Sequence, residues 1–366
     1  MARGGISRNQ PPGYRKFPRR SSGCGIRPQR GMIPTDPEAF RAAVPDGEIR
    51  DIRAAAERFA LKIPARLAAV MGGRTGPLWR QFVPSAAELA PDDRVSSDPL
   101  WEEAQSPVPG LIHRYPDRVV FLVSDACAAH CRFCMRRRRV AAPSRTDIAA
   151  GIRYIRETPE TAEVILSGGD PLMRSDRRLA EILAALHAVP HVRVIRIHTR
   201  MPVVLPERIT PDLASLLKKF HPLFMILHIN HPAELLPDTD AALARLADAG
   251  IPLGSQSVLL RGVNDDAATL RSLFRELTVR RVRPYYLHQC DPLPGISHFH
   301  VPLEKGISLM ERLRGHISGI AVPHFMVDLP GGGGKIPLLP ENVRRLPDGE
   351  WEIRGWADEA PRRYHG

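Results

Sequence analysis

From Arg118 onward, short runs of β-branched and other apolar residues alternate with longer stretches in which apolar positions recur every three or four residues. The first pattern suits strands buried on both faces, and the second suits helices lying across them. Their order predicts a parallel sheet built of strand-helix units. Seven strands are expected: RVVFLV (118–123), EVILS (163–167), VRVIRIH (192–198), LFMILHI (223–229), PLGSQSVLL (252–260), VRPYYLH (282–288) and HFMVDL (324–329). Between them DIAAGIRYIRET, DRRLAEILAALHAV, PDLASLLKKF, DTDAALARLADAG and DAATLRSLFRELTV read as amphipathic helices, several with an Asp suited to cap the first turn. The fold class is α/β, a partial (β/α)6-type TIM barrel with an N-terminal helical extension and a short C-terminal tail. Residues 36–105 read as mainly helical and belong on the barrel's outside or across one end. The expected divisions are a basic tail (1–31), a helical region (32–110), the barrel (111–335) and a short β-type segment (336–366).

Charge changes this picture little. The net charge of +12 suggests nucleic acid, but residues 1–31 hold eight Lys or Arg and no Asp or Glu, leaving only +4 for the rest. That tail has too few large apolar side chains to offset the entropy of ordering it, so it is expected to be disordered. No aromatic stacking motif accompanies the charge, and a nucleic-acid role is set aside. No apolar run approaches the roughly 18 residues that cross a bilayer, so no membrane span is expected.

Five cysteines are an odd number, and three crowd into eight residues, which favours a metal site in a reducing compartment over a disulfide framework. The cytoplasm is the natural assignment. In DACAAHCRFCMRRRR the three thiols, Cys127, Cys131 and Cys134, follow the first strand at a C-x3-C-x2-C spacing. A loop this short can hold three corners of a 4Fe-4S cluster and leave the fourth iron open. A zinc site is the competing reading, but structural zinc takes four protein ligands, and the fourth would have to be the awkwardly placed His130.

The other polar groups gather at the same end of the predicted strands: Ser167 to Asp170, His198, His228, Gln256, Asp291 and Asp328. That carboxyl end is where α/β barrels build active sites. Gly168 and Gly169 in SGGDPL would let backbone amides approach a ligand closely. In VDLPGGGGKIP four glycines precede Lys335, whose amine is able to bond the aldehyde of pyridoxal phosphate. A flexible linker with a surface lysine is the plainer alternative.

From about Asp98 to Pro340 the chain resembles the lysine 2,3-aminomutase family of the radical S-adenosylmethionine superfamily. The likeness runs through SPVPGLIHRYPDR, CRFCMRRR, SGGDPL, PVVLPERIT, NHP, QSVLLRGVND, VRPYYLHQCD and VDLPGGGGKIP. It implies a 4Fe-4S cluster on the three cysteines, S-adenosyl-L-methionine on the open iron, and pyridoxal 5'-phosphate on Lys335. It also implies that His228 and Gln256 join Ser167, Gly168, Gly169 and Asp170 around S-adenosylmethionine, and that Arg114, Tyr115 and Arg118 lie near pyridoxal phosphate. Arg136 is implied to take the substrate α-carboxylate, and Asp291 with Asp328 the ε-ammonium of lysine. The implied activity is isomerisation of L-lysine to β-lysine, with an electron donor of flavodoxin or ferredoxin type and with self-association.

Arginine is an alternative substrate, because a planar guanidinium can bridge two carboxylates. Modification of a lysine residue of elongation factor P is a second alternative, against which the Asp pair speaks. Met135 and His288 depart from the family pattern, which leaves fine substrate choice open. No cysteine follows Cys290 and Asp266 stands at the internal position where some members carry one, so no structural zinc is expected.

Overall fold

The computed structural model describes residues 35–91, 95–141, 146–339, 343–347, 350–353 and 360–364. The basic tail lies outside the described residues. Each of the seven expected strands forms: β2 (Arg118–Ser124), β3 (Glu163–Gly168), β4 (Val194–Thr199), β5 (Leu223–His228), β6 (Leu253–Leu259), β7 (Val282–Gln289) and β8 (His324–Leu329). They pair in parallel in chain order, as right-handed strand-helix units require. Two further strands flank them antiparallel: β1 (Leu111–Tyr115) on β2, and β9 (Gly334–Pro337) on β8. The sheet is therefore nine-stranded, a partial barrel of the expected class with an added hairpin at each edge.

The five expected helices are present as Ile148–Glu157, Asp176–His187, Pro211–Leu217, Pro237–Asp248 and Ala267–Val279. Asp147 and Asp266 cap two of them, accepting from the amides of Ala150 and Thr269 at 2.9 Å each. A sixth helix, Leu303–Glu311, fills the connection from β7 to β8. In the C-terminal segment three short strands, Val343–Arg345, Trp351–Ile353 and Arg362–Tyr364, make a separate antiparallel sheet. No helix among the described residues is long and apolar enough to cross a membrane.

The N-terminal region supplies helices Asp46–Arg58, Ala65–Val70 and Pro77–Phe82, whose Ile52, Leu67 and Phe82 join the barrel's apolar core. Polar contacts fix it across the barrel's carboxyl end. Glu88, fully buried, accepts from Arg132 at 2.7 and 2.8 Å and from Arg137 at 3.0 Å. Arg132 also donates to the carbonyls of Phe59 and Ala60, and Arg137 stacks 3.6 Å from the Phe59 ring. Gln81 bridges Glu234 and Arg200, at 3.0 and 2.6 Å.

Removing the Glu88 carboxylate would strand two guanidinium groups away from water. The variant Glu88→Ala is expected to lose about 3–5 kcal/mol of stability, the range for breaking one partner out of a buried ion pair. A urea titration comparing it with the unmodified chain checks this.

Candidate active site

All sixteen residues singled out in the sequence line one cavity of about 710 Å³ inside and above the barrel. The loop after β2 brings Cys127, Cys131 and Cys134 to its wall. Two glycines, the last residue of β3 and the one after it, make this possible. Gly168 has φ +127, and a Cβ there would lie 2.1 Å from the Ser124 carbonyl oxygen; a Cβ on Gly169 would lie 2.4 Å from that of Ala126. The amides of Gly169 and Asp170 donate to these same two carbonyls, at 2.6 and 2.8 Å. The glycine pair thus presses β3 against the cysteine loop, and these two amides serve the loop rather than a ligand. The Asp170 carboxylate is likewise engaged within the fold. It accepts from the Thr199 hydroxyl at 2.8 Å and from the amides of Leu172 and Arg200, while burial raises it to about 6.

Burial, then repulsion from Cys131, pushes the Cys134 thiol up to about 11; burial raises Cys127 further. Arg200 donates to the Cys131 sulfur at 2.8 Å. His130 turns away, its Nδ1 lying 2.9 Å from the Ala60 carbonyl, so it leaves the loop with three sulfur donors. Among the described residues, no three His, Cys, Asp or Glu side chains converge on a point as for one metal ion. Three thiols on one cavity wall match the donor set of a cubane cluster with one open iron and fall one ligand short of structural zinc. His228 and His198 also line the cavity, each half-buried with a buried, unpartnered Nε2 among the described residues. Burial holds both well below the ordinary histidine value, so each brings a neutral imidazole with unused hydrogen-bonding capacity, suited to a bound polar group.

Across the cavity, Arg136 makes a bidentate pair with the buried carboxylate of Glu102, its Nε at 3.0 and 3.1 Å and Nη2 at 2.7 Å, and gives Nη1 to the Ser167 hydroxyl at 3.0 Å. Ser167 therefore touches the arginine directly. The rest of the arginine run is paired as well: Arg138 with Asp98 at 2.9 Å, and Arg139 with Glu103 at 2.8 Å.

At the far wall, β8 and β9 set Asp328 opposite Lys335 in register, and the lysine Nζ donates to the Asp328 carboxylate. Tyr115 accepts the Lys335 amide N–H at 2.8 Å, and its ring stacks under Arg118 at 3.9 Å. Arg114 lies 3.9 Å from Asp328, and His288 Nδ1 lies 3.5 Å from it. Burial alone would raise Asp328, but His288 and Lys335 hold it well below the usual carboxylate range. Asp291 differs. Burial and the nearby Asp328 raise it to about 7, the behaviour of two desolvated carboxylates that share a site.

The site therefore combines a three-thiol wall, a paired guanidinium and a two-carboxylate pole with an amine seated on Asp328. Glu102 and Arg200 were not among the residues picked from the sequence. The only sequence signal for Glu102 was charge pairing between the acids of Asp98 to Glu103 and the arginine run, two stretches far apart in the chain.

Comparison with known proteins adds to the geometry. Residues 121–273 match the family model for the Radical SAM superfamily, and residues 310–346 match that for Lysine-2,3-aminomutase. An L-lysine 2,3-aminomutase of Fusobacterium nucleatum subsp. nucleatum is 50% identical over 271 residues, 73% of this chain and 64% of that protein. A relative from Aquifex aeolicus, provisionally named an L-lysine 2,3-aminomutase, is 42% identical over 278 residues, 74% of each chain. A glutamate 2,3-aminomutase of Clostridioides difficile is 42% identical over 269 residues, 72% of this chain and 64% of that protein. The chain thus spans less than two thirds of the length of the Fusobacterium and Clostridioides proteins.

The acid pair sets a pH dependence. A carboxyl raised to about 7 is neutral below that pH and holds a cation only above it. Affinity of the pocket for a cationic amine is expected to rise between about pH 6 and 8. Asp291→Asn should abolish that rise, as read by calorimetric titration at several pH values.

Proposed function

The chain belongs to the lysine 2,3-aminomutase family, and from that premise we propose that it is a radical S-adenosylmethionine, pyridoxal-dependent isomerase that moves the α-amino group of L-lysine to C3, giving β-lysine. The observation that carries the reading is the Lys335 ε-ammonium seated on Asp328, with Asp291 nearby. A bound lysine ends in the same ammonium group, so the pocket already accommodates the chemistry it is proposed to recognise.

When bound, the cluster with S-adenosylmethionine supplies a carbon-centred radical that removes hydrogen, and pyridoxal phosphate supplies the π-system that carries the migrating nitrogen. Cys127, Cys131 and Cys134 would hold the first, with His228 and Gln256 beside S-adenosylmethionine. Lys335 would hold the second, with Arg114, Tyr115 and Arg118 near the phosphate. The substrate is then spanned by charge: Arg136 takes the α-carboxylate, and Asp328 with Asp291 takes the distal ammonium. Its length decides between substrates, because both poles must be met at once. An acidic side chain would meet two carboxylates, which disfavours glutamate. Enclosure within the barrel keeps water and stray C–H bonds from the radical. A donor of flavodoxin or ferredoxin type, a cytoplasmic setting and self-association belong to the same proposal.

The test is anaerobic reconstitution with iron, sulfide, reductant, S-adenosylmethionine and pyridoxal phosphate, offering lysine, arginine, glutamate and ornithine separately. Mass-neutral conversion of lysine to β-lysine is expected. Conversion of arginine in its place would reassign the substrate, and cleavage of S-adenosylmethionine with no amino acid isomerised would refute the aminomutase reading. Asp328→Asn should raise the lysine KM by about 10- to 100-fold, the usual scale for losing a buried charge-assisted contact.

A further inference from the structure

The turn between Asp98 and Ser106 carries no residue picked out from the sequence, yet it touches both ends of the proposed substrate site. Its Pro99 carbonyl accepts from the Gly331 amide at 2.9 Å, which ties it to the glycine loop before Lys335. The Leu100 carbonyl and the Gln105 side chain hold Arg114, at 2.6 and 2.7 Å. At the other end Glu102 holds Arg136.

The count of donors on Arg136 is informative. Of its five N–H groups, Nε and one on Nη2 go to Glu102, and one on Nη1 goes to Ser167. The other two, one on each terminal nitrogen, meet no acceptor among the described residues, and donors on both terminal nitrogens suit the two oxygens of a carboxylate. Glu102 itself has little freedom. Its side chain is buried, and Arg136 and Arg138 overcome the effect of burial to keep the carboxyl acidic. Its amide donates to Asp98 at 3.1 Å and its carbonyl accepts from Ser106 at 2.7 Å. The preceding residue, Trp101, adopts φ +52, a left-handed conformation unfavourable for a residue with a side chain, while its ring is left largely exposed. A strained residue beside a saturated buried carboxylate is the mark of a side chain held in one orientation by its surroundings.

We infer that Glu102 is a positioning residue for substrate recognition: it fixes the guanidinium of Arg136 so that the two free N–H groups face an amino-acid α-carboxylate. The inference rests on the proposed role of Arg136. Loss of Glu102 leaves the arginine charged but free to rotate, so the cost falls on carboxylate recognition and spares the distal ammonium site.

Comparing L-lysine with L-lysinamide, which lacks only the α-carboxylate, tests this on the reconstituted enzyme. The unmodified enzyme is expected to favour lysine strongly in kcat/KM. In Glu102→Ala that preference should fall about tenfold or more, because a charge-assisted contact is lost, while kcat/KM for lysinamide changes little. Glu102→Asp should restore part of it. The same ratio is read without turnover by titrating each compound against the absorbance of bound pyridoxal with S-adenosylmethionine omitted. If Glu102→Ala unfolds, Glu102→Gln decides, since it keeps the shape and removes the charge; its preference should also fall. Unchanged preference in the variant that folds overturns the inference while leaving the aminomutase reading intact. No preference for lysine in the unmodified enzyme overturns the role of Arg136 and the inference with it. A general loss of stability would lower both substrates alike and leave the ratio where it was, which also overturns the inference.

Discussion

Four guanidinium groups in succession, Arg136 to Arg139, follow the last cysteine of the loop, Arg137 and Arg139 buried and the other two half-buried. Charges placed there persist only if acids meet them, because an unpaired buried charge costs several kcal/mol. The acids come from the N-terminal region: Glu88, Asp98, Glu102 and Glu103. Together with the apolar packing of Ile52, Leu67 and Phe82, this pairing binds the helical extension to the barrel, and it orders much of the cavity wall. The extension is therefore part of the site.

A second constraint is distance. The cysteine loop and β3 pack so closely that only glycine fits at 168 and 169, and the resulting hydrogen bonds fix where the thiols stand. Asp170 continues the same work by tying β3 to β4 through Thr199. The amides of Gly169 and Asp170 and the Asp170 carboxylate are thus engaged within the frame of the cavity that these residues line. Charge balance then shapes the far wall, where Asp328 is paired with Lys335 and hydrogen-bonded by His288, while burial and the nearby Asp328 raise Asp291 to about 7.

The parallel strands were legible because each is an apolar run bounded by turn residues, a signal local to the strand. β1 and β9 were not. LIHRY is apolar only at its first two residues, after which Arg114 and Tyr115 line the cavity and His113 meets Tyr154, and GKIP is four residues long with Gly and Pro in it. Their pairing depends on the neighbouring strand, which no local pattern reports. The sixteen candidate residues do share one cavity: strand order sends those after the parallel strands to one barrel end, while Arg114, Tyr115 and Lys335 reach the cavity on β1 and β9 and Arg118 from the start of β2. Their individual contacts were less accessible to sequence reasoning: that Ser167 meets Arg136, or that Arg136 meets Glu102, depends on segments 31 and 34 residues apart.

The account turns on Lys335 as the residue that carries pyridoxal at the acid pole of the cavity. The chain has six lysines, so borohydride reduction of the pyridoxal-loaded protein, followed by digestion and mass mapping, gives a direct reading. The pyridoxyl group is expected on Lys335 alone. Its appearance on Lys16, Lys62, Lys218, Lys219 or Lys305 in place of Lys335, or on none, would contradict the central claim.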